Sequence, residues 1–457
     1  MIWILLLTVI AFSYCIRCGF VSDDTDQMAN ARPQKVDLQH WFVHGLDWLW
    51  FKLFKNHPVK WHLVVLGYHL ITISLFYLFC NIFFGRQVAI IAASLFAIHP
   101  CTNQGAIWLS GRHYAILGWL TLSCLILWKW PVIFLPLLAT ACFVHPQGAV
   151  IPLILGFFKP NWTTGAYILI IAAFIPYYLK TLKARLKMCG WPKENTAWKS
   201  GRLNMLIKVV NYYLFMALIP FWLGFFHSNL YGYKKGLDKF NLKTALGVAS
   251  LMIFAVLILA YRDTLPAFSL GAFWFFVTLL PCLNIIHSNM LFSERYMYIP
   301  LLGFCLASAQ IISLIPHWQI ILAVILTLYF VRTASYSLAY RDNIALYTVN
   351  TKNQPQSAEA FVNLGDQWIK INRSDVALPL LEKAIALDPE MDMGWFNLGV
   401  AQYNIGFIKK AKQSWEMALK INPKYINPRF NLLRLEKKVS EMQKQGQWRE
   451  LAEVGLV

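Results

Sequence analysis

Long apolar segments recur along the first 335 residues of this chain and are separated mostly by short loops. Charged residues make up 14% of the sequence and hydrophobic residues 58%, whereas a soluble domain carries about 25% charged residues. A helix needs about 20 mostly apolar residues to cross a bilayer. We therefore predict an all-α integral membrane protein, whose domain over residues 1–353 crosses the membrane about 10 to 12 times.

The predicted spans lie at 1–17, 62–84, 86–100, 112–129, 131–145, 147–158, 163–180, 208–227, 243–261, 265–286, 298–315 and 317–335. The loops with Arg86, Lys129 and Lys159 fit the cytoplasmic side by the positive-inside rule. This orientation places the segment after the first span outside, in the bacterial periplasm or the lumen of the endoplasmic reticulum. Beyond residue 208 the parity stays open, because a broken or re-entrant segment changes the count and moves the C-terminal part across the membrane.

Two longer connections interrupt the spans. The connection 17–61 carries acidic, histidine and aromatic residues at helical spacing, which predicts an amphipathic helix lying in the membrane interface. The connection 181–207 is basic. Residues 358–457 contain 14 basic and 12 acidic residues, which gives a net charge of +2. The remaining +17 of the net charge of +19 therefore lies in residues 1–357. That excess predicts contact with anionic lipid headgroups or a lipid phosphate, and not with nucleic acid.

After Gln354-Pro355 the sequence becomes polar and repeats. The small, aromatic and proline positions of residues 358–391 recur 34 residues later in 392–425, and include Leu364-Gly365 and Leu398-Gly399. This period and pattern are typical of tetratricopeptide repeats, each a pair of antiparallel helices. Residues 426–457 lack the glycine and are predicted to cap the array. We therefore expect residues 354–457 to form a tetratricopeptide α-solenoid.

Asp23 and Asp24 follow the first span, in a region that is otherwise apolar or basic. Acidic residues beside a membrane are functional candidates, because charge is costly near hydrocarbon. Repulsion within the pair can raise the pKa of one carboxyl and give a general base, or both carboxylates can hold a divalent cation. An acidic turn that caps a following helix is the structural alternative. We expect both side chains in a solvated loop.

Three further polar motifs lie at the ends of apolar segments. They read H-P-C-T-N-Q-G-A-I-W-L-S-G-R-H-Y over His99–Tyr114, H-P-Q-G over His145–Gly148 and S-E-R-Y-M-Y-I-P over Ser293–Pro300. Such positions let polar groups face water or a substrate. Each motif also has a structural interpretation, with the histidines at interfacial helix ends and Glu294-Arg295 as an ion pair.

The order of these motifs, followed by the repeats, resembles the GT-C glycosyltransferases, specifically the transmembrane-and-tetratricopeptide O-mannosyltransferase-like family. The residues that carry the resemblance are Asp23-Asp24, His99-Pro100, Trp108, Ser110-Gly111-Arg112, Glu294-Arg295, Tyr298 and Pro300. The resemblance covers most of the chain. It implies a multi-pass membrane enzyme that transfers a mannose-like sugar from a polyisoprenyl-phosphate donor to a hydroxyl of a protein acceptor, on the extracytoplasmic face.

The resemblance also implies roles for individual residues. Asp23 and Asp24 are the expected catalytic residues, and the expected ligands if a divalent cation is bound. The expected substrate-binding residues are His99, Arg112, His145, Gln147, Glu294, Arg295 and Tyr298. Gln104 and Tyr114 stand where the family has acidic residues, and His145-Pro146-Gln147-Gly148 replaces a Lys-Glu-Gln-Gly stretch. Loss of those carboxylates weakens any metal site and leaves the aspartate pair with less help.

The leading interpretation is a membrane glycosyltransferase whose repeats dock a protein acceptor or partner. The missing carboxylates favour a second one, a catalytically inactive membrane-anchored scaffold that recruits a partner through its repeats. A third, a transporter of lipid-linked sugars, would require charged residues within the spans, where the sequence has almost none.

Overall fold

A computed structural model describes residues 1–24, 41–173, 176, 202–221, 223–224, 242–283 and 292–447. Every regular element in these ranges is a helix, which confirms the all-α prediction. The described residues fall into two compact units. The first unit takes those of Met1–Leu223 and Lys234–Asp342, and the second takes those of Gly224–Tyr233 and Asn343–Val457.

The helices of the first unit follow the predicted spans closely. They are α1 (Ile2–Ala11), α2 (Trp41–Phe54), α3 (Pro58–Phe84), α4 (Arg86–Ala97), α5 (Asn103–Ala106), α6 (Arg112–Leu127), α7 (Pro131–Val144), α8 (Ile151–Phe158), α9 (Trp162–Ala173), α10 (Arg202–Leu218), α11 (Leu242–Ala260), α12 (Pro266–Leu279), α13 (Tyr298–Ser313) and α14 (Trp318–Ser337). Proline and glycine residues mark the ends of α3. Pro58 opens α3, where its missing N–H costs nothing, and Gly85 ends it with a φ of 87°.

Within the described ranges, three stretches are long and apolar enough to cross a membrane, namely Pro58–Phe84, Glu294–Ser313 and Trp318–Arg341. The other apolar helices of the described ranges are shorter. These stretches are compatible with a membrane location, and the number of crossings stays a prediction. The helix α2 confirms that the first long connection contains a helix. Residues 181–201 of the basic connection lie outside the described residues.

Close backbone contact joins α12 to α13. A Cβ added to Gly303 would lie 2.5 Å from the carbonyl oxygen of Gly271 and 2.6 Å from the backbone nitrogen of Phe275. Small residues allow helix axes to approach in this way, and membrane proteins use them because apolar burial supplies little drive in lipid. This contact fixes α13, whose first turn follows directly on the Glu294-Arg295 motif.

Gly303→Ala is expected to destabilise the protein by about 1–3 kcal/mol, because backbone atoms on α12 must move to admit the methyl group. The measurement is the melting temperature of the purified protein in detergent. Gly67→Ala is the matched control on α3, since a Cβ there meets no atom within 4 Å. Equal melting temperatures for the two variants would contradict the close packing of α12 on α13.

The second unit is built from helical hairpins. Its helices are α15 (Asn343–Asn353), α16 (Ala358–Lys370), α17 (Ser374–Leu387), α18 (Asp392–Asn404), α19 (Ile408–Ile421) and α20 (Ile426–Lys444). The helices α18 and α19 begin 34 residues after α16 and α17 and match their lengths. Leu381 packs against Gly365, and Trp415 packs against Gly399 at the equivalent place. This arrangement confirms the predicted helical solenoid. The boundary after residue 353 stays a prediction, although α15 groups with the hairpins.

Candidate functional site

A single turn of 3-10 helix over Leu109–Gly111 lies at the centre of the site. A Cβ on Gly111 would lie 1.9 Å from the carbonyl oxygen of Gln104, so this backbone path requires glycine. Arg112, the first residue of α6, donates from Nη1 to the carbonyl of Leu109 at 2.8 Å. This bond ties the side chain of Arg112 back to the first residue of the turn.

Asp24 is fully buried against this turn. Its Oδ1 accepts hydrogen bonds from the backbone N–H of Ser110 at 2.9 Å and from the Ser110 hydroxyl at 2.8 Å. Its Oδ2 accepts one from the N–H of Val21 at 3.0 Å. Burial raises the pKa of the Asp24 carboxyl, and these bonds together with nearby His62 oppose that rise. The expectation of a solvated side chain is wrong for Asp24, because the three donors replace water.

His62 supports the same region from α3. Its buried ring places Nδ1 2.6 Å from the carbonyl oxygen of Ile107 and Nε2 3.0 Å from that of Gly19. A carbonyl oxygen only accepts, so each of these bonds uses a proton on the ring nitrogen that faces it.

Asp23 differs from its neighbour because it is exposed. The Ser22 hydroxyl lies 3.4 Å from its Oδ1, and the side chain lies within electrostatic reach of the Arg295 guanidinium. The two aspartates therefore have different environments. Asp24 holds the segment in place, and Asp23 presents a carboxylate to solvent within electrostatic reach of a cation.

Arg295 is half-buried among aromatic side chains. Its guanidinium carbon lies 5.5 Å from the ring centre of Trp108 and 5.6 Å from that of Tyr296. The hydroxyl of buried Tyr114 also interacts with this guanidinium. Tyr114 stands at a position where the resemblance implies an acidic residue. Its hydroxyl contacts the Arg295 cation, as an acidic side chain could.

Glu294 points to another set of partners in the core. It is buried, and Oε2 lies 3.4 Å from Nε2 of Gln104 and 3.3 Å from the hydroxyl of Tyr336 on α14. The Oε1 atom of Gln104 is buried and meets no hydrogen-bond donor within the described ranges. Gln104 stands at the other position where the resemblance implies an acidic residue, and its amide bonds to the carboxylate of Glu294.

His145 and Gln147 both lie against Tyr296, the residue that follows Arg295. The ring centre of His145 lies 5.0 Å from that of Tyr114 and 6.3 Å from that of Tyr296. Gln147 donates from Nε2 to the carbonyls of Tyr296 and Thr278, both at 3.0 Å. Because both acceptors are carbonyls, the orientation of the amide is settled. Its buried Oε1 faces no donor in the described part of the chain.

His99 and Tyr298 lie in the helical core with protein partners. The Nε2 of His99 lies 3.0 Å from the carbonyl oxygen of Ala217, and its Nδ1 accepts from the N–H of Cys101 at 3.2 Å. The hydroxyl of Tyr298 lies 2.6 Å from Nδ1 of His69. Both side chains are fully buried, so their predicted substrate contacts stay predictions that nothing in the geometry supports.

Arg112 is also engaged within the protein. Its Nε donates to Oδ1 of Asp47 at 2.7 Å, and its Nη2 forms a second, short contact with Oδ2 of the same carboxylate. Asp47, Ser110 and His62 are not among the site residues predicted from the sequence. Asp47 had a usable signal, because an acidic residue shares the buried face of the amphipathic helix α2 with Val43, four residues earlier.

The aspartate pair is a poor fit to a cation held by two carboxylates. Both oxygens of Asp24 already accept hydrogen bonds, and only Asp23 faces solvent. Within the described ranges, no group of three or more histidine, cysteine or acidic side chains is arranged to hold a metal ion. The suggested divalent cation therefore stays a prediction, and no chemistry below depends on it.

Comparison with known proteins gives one distant similarity worth reporting. No protein-family model matches the chain. A Caenorhabditis elegans protein named as a protein O-mannosyl-transferase is 22% identical over 369 residues, which cover 76% of this chain and 53% of the relative. The chain thus spans about half the length of that relative.

Proposed function

We propose that this protein is a multi-pass membrane glycosyltransferase. It transfers a mannose-like sugar from a polyisoprenyl-phosphate donor to a hydroxyl of a protein acceptor, on the extracytoplasmic side of the endoplasmic reticulum or a bacterial inner membrane. The name of the Caenorhabditis elegans relative supports transfer of mannose to protein. The observation that carries the proposal is the exposed carboxylate of Asp23 within electrostatic reach of Arg295. The guanidinium of Arg295 in turn contacts Trp108, Tyr114 and Tyr296.

In this proposal Asp23 is the general base. An exposed carboxylate can accept the proton of an acceptor hydroxyl as the oxygen attacks the anomeric carbon, and such catalysis contributes about 10²–10⁴-fold to a rate. Asp24 positions that base, because its two hydrogen bonds from Ser110 hold the segment to the 109–111 turn and its bond from the Val21 N–H fixes the segment locally. This division of labour follows from exposure, since a fully buried carboxylate cannot reach a hydroxyl on a protein acceptor.

Arg295 binds the donor phosphate in this proposal. The bond from the anomeric carbon to the phosphate oxygen breaks with its electron pair on the phosphate, and a fixed cation stabilises the charge that develops there. Tyr296, which is half-buried, can add a hydroxyl donor beside the guanidinium. Inversion requires the base and the phosphate on opposite faces of the sugar.

The direct test is an assay of the purified full chain with polyisoprenyl-phosphate mannose and peptides rich in serine and threonine. Transfer of labelled sugar to peptide supports the proposal. Absence of both transfer and donor binding, in protein with a normal melting transition, would overturn it. That result would favour the membrane-anchored scaffold, in which the repeats recruit a partner and no sugar is moved.

Arg295→Ala is expected to weaken donor binding about 10-fold or more, because a charge-assisted contact to phosphate contributes roughly 1.5–3 kcal/mol. Binding is measured by titrating the purified variant with the polyisoprenyl-phosphate sugar. Arg295→Lys is the matched control, since it keeps the charge and loses the planar fork, and it should bind with intermediate affinity. Unchanged affinity in Arg295→Ala would assign the guanidinium a purely structural role.

A further inference from the structure

Asp47 connects the amphipathic helix α2 to the catalytic region. Its side chain is 2% exposed, on the face that α2 buries. Arg112 donates hydrogen bonds from Nε and Nη2 to the two carboxylate oxygens of Asp47. A buried bidentate pair of this kind fixes both partners in direction as well as distance, because the guanidinium fork and the carboxylate are planar.

The same guanidinium also contacts the 109–111 turn. Its third donor, Nη1, bonds to the carbonyl of Leu109 at 2.8 Å. The next residue, Ser110, gives its N–H and its hydroxyl to Asp24. A continuous series of contacts therefore runs from Asp47 through Arg112 and the 109–111 turn to Asp24, whose neighbour in the chain is Asp23.

A second contact holds α2 through a different side chain, Trp50. Trp50, one helical turn after Asp47, donates from its indole nitrogen to the hydroxyl of Tyr68 on α3 at 2.7 Å. Trp50 also packs against the cluster of Trp61, Val65 and Leu109. Attachment of α2 to the bundle thus does not depend on Asp47 alone, which allows the two contacts to be tested separately.

We propose that Asp47 is a positioning residue for the transfer reaction, acting through Arg112 to set where the 109–111 turn holds Asp24 and therefore where Asp23 stands. The proposal rests on the function proposed above. Removing the negative charge leaves the guanidinium of Arg112 buried without its counter-charge, which is costly. The guanidinium must then turn toward other acceptors or water, and the Leu109 carbonyl loses its fixed donor.

The kinetic test uses the full chain with Asp47→Asn, and with Trp50→Phe as the matched control on the same helix. We expect Asp47→Asn to lower kcat per folded molecule about 10- to 100-fold, since misplacement by about 1 Å can cost that much. The KM for the donor should change less than about 2-fold, because Arg295 is untouched. Trp50→Phe should keep kcat. A normal kcat in Asp47→Asn, with only a lower melting temperature, would overturn the proposal.

Hydrogen exchange supplies a readout that does not depend on activity. In Asp47→Asn the amide hydrogens of Val21 and Ser110, which bond to Asp24, should exchange at least about 10-fold faster than in the wild type, as local opening becomes easier. Trp50→Phe should leave them protected. If Asp47→Asn does not fold, Asp47→Glu, which keeps the charge and shifts the carboxylate, takes its place in both measurements.

The two readouts separate the two proposals. Wild-type protein that transfers no sugar would overturn the proposed function, while faster exchange in the variant would still support the link from Asp47 to Asp24. Unchanged exchange at Val21 and Ser110 would overturn that link, whatever the activity of the wild type.

Discussion

Replacing Asp23 by asparagine is expected to lower sugar transfer by about 10²–10⁴-fold, the usual contribution of a general base. The folded protein should be preserved, because the side chain is exposed. The measurement is the initial rate of transfer at saturating donor, beside the melting temperature of the same preparation. Donor affinity should not fall, since asparagine removes a negative charge from the neighbourhood of a phosphate. Wild-type turnover in Asp23→Asn would remove the base from the mechanism.

Asp24→Asn is the matched comparison, and it should lose stability as well as activity. The amide nitrogen of asparagine would face a backbone N–H of Val21 or Ser110, and a buried donor without an acceptor costs about 1–3 kcal/mol. Burial raises the folded-state pKa of Asp24, so its stabilising contribution is greatest below the unfolded pKa and is lost as pH rises through the folded pKa. The stability gap between wild type and variant should therefore widen as pH falls.

The helices and repeats were predictable because they depend on local patterns. Runs of apolar residues between polar or proline positions mark the helices of the first unit, and the 34-residue period marks the hairpins. The close contact of Gly365 with Leu381 follows from the repeat pattern as well, since a small residue in one helix implies a large one across the hairpin. Such inferences need only the spacing of residue types along one short stretch.

The environment of each aspartate could not be predicted in the same way. Asp24 is buried by Ser110, which lies 86 positions away along the chain, and Arg112 is paired with Asp47 at a separation of 65. Nothing in the local sequence distinguishes Asp24 from Asp23, so the sequence predicts mutual repulsion as the cause of a raised pKa. The structure gives burial as the cause instead. The motif order singles out both aspartates, and only the folded contacts distinguish the buried, hydrogen-bonded Asp24 from the exposed Asp23.

Loss of the repeat unit is expected to abolish transfer to a protein acceptor and to leave donor binding within about 2-fold of the wild type. The tetratricopeptide pattern predicted for this unit is typical of arrays that bind extended segments and carry no bond chemistry of their own. A chain that ends after Gln354 is compared with the full chain in donor titration, donor hydrolysis and peptide transfer. A full-length control, Gly399→Leu, disrupts one hairpin, because an added Cβ would lie 2.5 Å from the ring of Trp415. Full transfer by the shortened chain would contradict acceptor docking by the repeats.

Acceptor docking also requires the repeats and Asp23 to face the same side of the membrane, which corresponds to an odd number of crossings. Labelling of single introduced cysteines from each side of sealed vesicles tests this. Ser22→Cys reports on the aspartate pair, and Ser440→Cys, on the exposed surface of α20, reports on the repeats. Labelling of both sites from outside supports docking of a lumenal or periplasmic acceptor. Labelling from opposite sides would contradict it, because a cytoplasmic array cannot present a protein to an extracytoplasmic base.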